Sequence, residues 1–253
     1  MVPKDLFDRY DAALGANAAL MRLAVTELVA QVAGGADLHQ LYAALVAEFG
    51  RYAAAAAVEF YQSCRDSSGV PTPYEAVMYD LDDSDALAGD VARALASGAQ
   101  LDRLAQRVDA SARRRVMERA DEVLLRNAQR DPAHPKWALV PHPGACAWCR
   151  FLGSQDFVYN KRATALAARH DNCLCTPVVD FDVENPHLDG YDPDRYFGEY
   201  ADARAEVEQE ARDEWAAMSA EERGKYAQKG RGAYDHFLRN KIVGRMAQGA
   251  QDE

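Results

Sequence analysis

Residues 41–64 read LYAALVAEFGRYAAAAAVEFYQSC. Leu41, Leu45, Phe49, Tyr52, Ala56, Phe60 and Cys64 recur at spacings of three and four, which sets them along one face of a long helix. The run Ala53 to Ala57 fits that helix, because alanine is the strongest helix former and its small side chain allows close helix packing. Upstream, Leu20, Leu23, Ala24, Leu28 and Val32 make a second stripe, and the Gly34-Gly35 break between the two predicts a helix pair. Downstream, Asp66 to Asp83 is rich in Ser, Gly, Pro and Asp and reads as a connector. Helix returns near Ser84 and again over Leu101 to Arg130, until Asp131-Pro132 and His134-Pro135 push the preceding residues out of helical geometry. The Arg113-Arg114-Arg115 cluster, interleaved with carboxylates, reads as a solvated, salt-bridged face. Residues 1–132 are therefore expected to form a helical N-terminal domain.

The rest of the chain changes texture twice. Between Lys136 and Asp182 come short β-like pieces, Trp137 to Val140, Phe157 to Tyr159 and Thr176 to Phe181, with a short helix around Thr164 to Arg169. This predicts a small α+β unit over 133–190. Residues 191–253 read as an acidic helical region. One helix runs from about Asp194 to Met218, and the next opens on Ser219 and Glu222 at capping-box spacing. The final stripe of Tyr234, Phe237, Leu238, Ile242 and Met246 is ringed by Lys229, Arg231, Arg239, Lys241 and Arg245. It suits either docking onto a partner or packing onto its own chain.

Composition bounds the function. The 253 residues are 49% hydrophobic and 27% charged, ordinary globular usage. Uninterrupted apolar runs such as Ala53 to Val58 are far short of the roughly 20 residues of a membrane span, and the first residues hold no apolar signal core. Neither membrane insertion nor secretion is expected. The formal charge of −11 is carried entirely by Pro177 to Arg223, with fifteen acidic and four basic residues, and the remainder balances. A broad phosphate-neutralising surface is thereby excluded.

Chemistry concentrates in one constellation. Cys146-Ala147-Trp148-Cys149 is followed, twenty residues on, by His170-Asp171-Asn172-Cys173-Leu174-Cys175. A Cys-x-x-Cys turn aims two thiolates at one centre, and a second knuckle at this distance completes a tetrahedron of soft ligands, which suits a structural Zn²⁺. Cys146, Cys149, His170, Cys173 and Cys175 are five candidates for four places, with the first two the safest pair. A disulfide would need an oxidising compartment, and a redox Cys-x-x-Cys would need a βαβ setting. A catalytic zinc would need an open coordination position beside a general base, and no such set is visible. A unit this small buries too little surface to be stable alone, so zinc serves as its staple. Trp148 is expected to cover the metal. Cys64 reads as a buried thiol. His39, His134, His142, His187 and His236 carry no recognisable catalytic spacing.

The segment Gly144 to Arg150, followed by His170-Asp171-Asn172-Cys173-Leu174-Cys175-Thr176-Pro177, resembles the phage Mu F-like head morphogenesis or minor capsid proteins of actinobacteriophage type. The His-x-Asn-Cys-x-Cys stretch carries the likeness, with Asp171 and Leu174 where many relatives have Pro and Arg. The resemblance covers about Val140 to Val179. It implies a virion protein present in a few copies, made in the host cytoplasm and placed inside the capsid near the portal; the lack of a catalytic constellation in the sequence adds the expectation that it is not an enzyme. Its implied partners are portal, capsid and scaffold proteins, with weak contact to packaged DNA, and it acts in head assembly and leaves with the DNA. The rival readings are a zinc-stapled nuclease or capsid maturation protease, and a zinc DNA-binding module. Against the last, only Arg150, Lys161, Arg162 and Arg169 are basic between Cys146 and Cys175.

Overall fold

The computed structural model describes residues 1–79, 83–96, 100–158, 175–227 and 232–249. It is mainly helical, in the order α1 (Lys4–Ala33), α2 (Leu38–Ser67), α3 (Ser84–Ala96), α4 (Leu101–Arg130), β1 (Lys136–Val140), α5 (Ala147–Gly153), β2 (Thr176–Asp180), α6 (Pro193–Ala217), α7 (Ala220–Gly224) and α8 (Ala233–Gly249). Long-range packing divides the chain into two units. The first is Met1–Ala138 with Phe157–Gly190, and the second is Leu139–Asp156 with Tyr191–Glu253. The stretch 133–190, expected as one small unit, thus contributes to both, because α5 buries its apolar residues on α6 and α8 while β2 packs on α2 and α4.

In the first unit α1 and α2 pair across the Gly34-Gly35 turn, and Asp37 caps α2 by accepting the Gln40 N–H at 3.0 Å. The Tyr10 and Phe60 rings stack at 4.4 Å and Asn17 donates to the Phe49 carbonyl at 2.9 Å, so the two helices run antiparallel. α4 packs against both. The face that α1 buries is Tyr10, Leu14, Ala18, Met21, Val25, Leu28 and Val29. Leu20 and Leu23, expected in the core, are instead 60% and 68% exposed, and Tyr52 of α2 is also exposed. Both helices are apolar nearly all round, so spacing alone leaves several candidate faces. By length and composition α1 and α2 could each cross a membrane, with mean hydropathies of 1.3 and 1.2 over eighteen residues. Isolated polar residues such as Arg22 and Arg51 break these helices into short apolar runs. In the structure their inner faces supply the core beside α4.

Polar residues pin this unit together. Asp90 of α3, with no side-chain exposure, accepts from Arg115 at 2.6 Å, from Arg114 at 2.7 Å, from Tyr42 at 3.2 Å and from Arg93. Burial alone would raise its carboxyl, but Arg115, Arg114 and Arg93 outweigh this and hold it below the usual carboxylate range. The arginine cluster of α4 is therefore not a solvated face. Arg113, Arg114, Arg115 and Arg119 turn largely inward and pair with Asp109, Asp90, Glu118 and Asp83. Asn127 holds the extended connector, accepting from Tyr74 and the Val77 N–H at 2.8 Å each and donating to the Val77 carbonyl at 2.9 Å. β1 and β2 form a two-stranded sheet. Asp180, at the end of β2, accepts from the Met1 amine at 3.1 Å and from the His187 N–H at 2.8 Å.

The second unit is built on α6 and α8. Phe237, Leu238, Ile242 and Met246 of α8 bury against Ala203 and Ala211 of α6, with Val207 and Trp215 packed alongside. Lys241 reaches Glu210 at 3.6 Å and also Glu214, while Arg245 pairs with Glu206. The final amphipathic stripe therefore packs onto its own chain, and Lys241 and Arg245 of its basic ring neutralise part of the acidic helix, while Lys229 and Arg231 lie outside the described residues. The Ser219–Glu222 capping box is present in both directions.

Candidate metal centre on a clamped helix

Pro141 to Ala145 form a turn in which the Ala145 N–H donates to the His142 carbonyl at 2.8 Å. Gly144 sits at φ +80°, a backbone region that glycine enters without steric cost. The turn delivers Cys146 to the N-cap of α5 with φ −65° and ψ 162°, and its carbonyl accepts the Arg150 N–H at 3.0 Å. Cys149 is thus the third residue of the helix. N-cap and third positions are the pair whose side chains meet in a capping box, so the Cys-x-x-Cys spacing brings two sulfurs to one side of a single helical turn. Cys146 is exposed and Cys149 is buried.

The other candidates are distributed differently. Cys175 is buried in the first unit, immediately before β2. His170 and Cys173 lie outside the described residues, as do the expected helix around Thr164 to Arg169 and, among the basic residues between the knuckles, Lys161, Arg162 and Arg169. Among the described residues no group of three or more His, Cys, Asp or Glu converges as a metal cage. The Phe157 piece, expected as a strand, is a 3₁₀ turn over Asp156–Val158, entered through Asp156 at φ +52°. A positive φ breaks the extended path that a strand needs.

Cys64 has the burial expected of it. Desolvation pushes its thiol up, reinforced by the Asp180 charge and opposed by the N-terminal ammonium, so it stays protonated at neutral pH.

Around the cysteine pair, α5 is held on nearly every side. Ala147 joins the apolar cluster of α6 and α8, and Phe151 packs on it with its ring 5.5 Å from Tyr200. Trp148 lies 5.4 Å from Phe151 and beneath the Arg239 guanidinium, which stands 5.2 Å above its ring. Tyr191 donates to the Gly153 carbonyl. A side chain at Gly153 would place its Cβ 2.4 Å from Cγ of Pro141, so only glycine allows this approach. Arg150 donates from Nη1 to Glu199 Oε2 of α6 and from Nη2 to the Met246 carbonyl of α8, each at 2.7 Å. Sequence reading missed Arg150 because its partners lie 49 and 96 residues away. Its place directly after Cys149 was the only local signal.

Compared with known proteins, a family model described as VG15 protein matches residues 1–203. No curated protein and no solved structure matches the chain.

Proposed function

The chain belongs to the VG15 family, a family of phage proteins, and from that premise we propose that it is a minor capsid protein of the Mu F-like kind, docked at the portal during head assembly. It acts without catalysing a reaction, is taken into the assembling head in few copies, and reaches packaged DNA only weakly. The observation that carries this reading is the knuckle pair, Cys146-x-x-Cys149 and His170-x-x-Cys173-x-Cys175, on which the likeness to those proteins rests.

Two of the proposed ligands support a structural zinc. Cys146 and Cys149 share one helical turn, and two thiolates at such a turn are the standard half of a closed tetrahedral shell. Two of His170, Cys173 and Cys175 would complete it. Bound zinc would supply a crosslink and no reactive position. The chain's own residues do the rest: Gly144 and the His142 turn present the pair, while Ala147, Arg150 and Phe151 fix the helix that bears it.

The arginines of α4 support a protein-binding role over a DNA-binding one, since Arg113, Arg114, Arg115 and Arg119 are engaged by internal carboxylates. Docking energy then comes from apolar helix surface, with the charged rim setting orientation. Co-expression with the portal protein tests the reading. The expected result is a complex that survives physiological salt. Failure to associate, or Mg²⁺-dependent cleavage of DNA by the purified chain, would favour the enzyme alternative.

A further inference from the structure

We infer that metal capture by Cys146 and Cys149 and the folding of the α6–α8 hairpin form one linked equilibrium, with Arg150 as the positioning residue that joins them; this rests on the metal reading above. Seven residues are too few for a helix to persist alone, so α5 takes its geometry from what it packs on. What it packs on is the hairpin. Ala147 is buried among Ala203, Ala211, Phe237 and Ile242, Phe151 lies against Tyr200, and Trp148 lies under Arg239.

Arg150 makes the connection three-way. Its side chain, 17% exposed, stands one residue from Cys149, pairs with Glu199 of α6, and donates to the Met246 carbonyl in the last turn of α8. Carbonyls in that turn have no partner within their own helix, so the guanidinium acts as a cap for α8 as well as an ion pair for α6. The same side chain thus fixes the α5 backbone that aims the Cys146 and Cys149 sulfurs. Glu199 and Met246 are not among the proposed ligands, and each meets Arg150, so their effect on metal affinity is expected to pass through this clamp. A ligand that binds only the ordered pair stabilises whatever orders it, and the coupling is reciprocal.

The test uses the full chain in three measurements. Hydrogen exchange with zinc bound and after chelation should show α6 and α8 losing protection when the metal leaves. Arg150→Gln should weaken zinc affinity, measured by competition with a chromophoric chelator, by about tenfold or more, the usual effect of removing a group that orients a ligand. At saturating Co²⁺ the variant should keep the wild-type thiolate charge-transfer band, since no ligand has been removed, and Arg150→Lys should recover part of the affinity by retaining the charge opposite Glu199. Should Arg150→Gln fold poorly, the exchange comparison on the unmodified chain still decides. Zinc binding with unchanged hairpin protection, or an Arg150→Gln affinity equal to wild type, would overturn this inference alone. A chain that takes up no zinc at all would overturn the metal reading and this inference together.

Discussion

Arg65 and Asp131 meet at 2.7 Å with both side chains almost fully buried, and so tie the last turn of α2 to the residue that ends α4. Tyr61 donates to the same carboxylate at 3.1 Å, and Arg65 continues to the connector through Thr72 Oγ1 at 3.0 Å. Removing one partner of a buried pair leaves the other charge uncompensated. Asp131→Asn is expected to cost about 3–5 kcal/mol of stability. Arg65→Met combined with Asp131→Leu should cost less than the sum of the single changes. Urea unfolding of the parent chain, Asp131→Asn, the singles Arg65→Met and Asp131→Leu, and their double variant provides the comparison.

The Asp90 cluster gives a pH dependence with a definite sign. Its folded carboxyl titrates below the usual value of about 4, so the stabilisation is complete above that pH and is lost as the pH falls through the folded value. Helical content followed in urea from pH 7 to pH 3 should show stability falling only at the acid end. Asp90→Asn should flatten that acid slope and, by stranding Arg114 and Arg115, lower stability at neutral pH. An unchanged acid slope in the variant would contradict the assignment.

The connector over 70–79 should depend on one amide. Asn127→Ala removes three hydrogen bonds to Tyr74 and Val77 and exposes their partners to water, at about 1–3 kcal/mol. Limited proteolysis should then cut near Tyr74 to Tyr79 well before α2 or α4. Resistance equal to the parent chain would show that Arg65 and the Gln62 contact to the Ala76 N–H suffice.

The helices were legible because hydrophobic spacing, the Gly34-Gly35 break, the Asp131-Pro132 stop and the Ser219 capping box are local signals. The buried face of α1 was not. With Ala and Leu on most of its circumference, period alone does not separate Leu20 and Leu23 from Met21 and Val25. The inward turn of the α4 arginines was hidden for another reason: their partner Asp90 lies on a different helix, 24 and 25 residues earlier. The cysteine pair was legible from its spacing, whereas the clamp that Arg150 makes with Glu199 and Met246 arises only when α6 and α8 close.

The thiols should differ sharply in reactivity. Cys64, buried and held protonated, is expected to resist alkylation in the native chain and to react on unfolding. Elemental analysis of protein purified without chelator should give one zinc per chain, and Cys149→Ser should abolish it. Rapid native labelling of Cys64 would contradict the buried-thiol assignment, and a Cys146–Cys149 disulfide would contradict the metal reading.

A portal-docked minor component of the head leaves a countable trace in the particle. Quantitative mass spectrometry of purified phage particles, with crosslinking before disassembly, tests it most directly. The expected result is that the chain is present in far fewer copies than the major capsid protein and crosslinks to portal subunits. Its absence from particles, or abundance equal to the major capsid protein with no portal crosslinks, would contradict the claim.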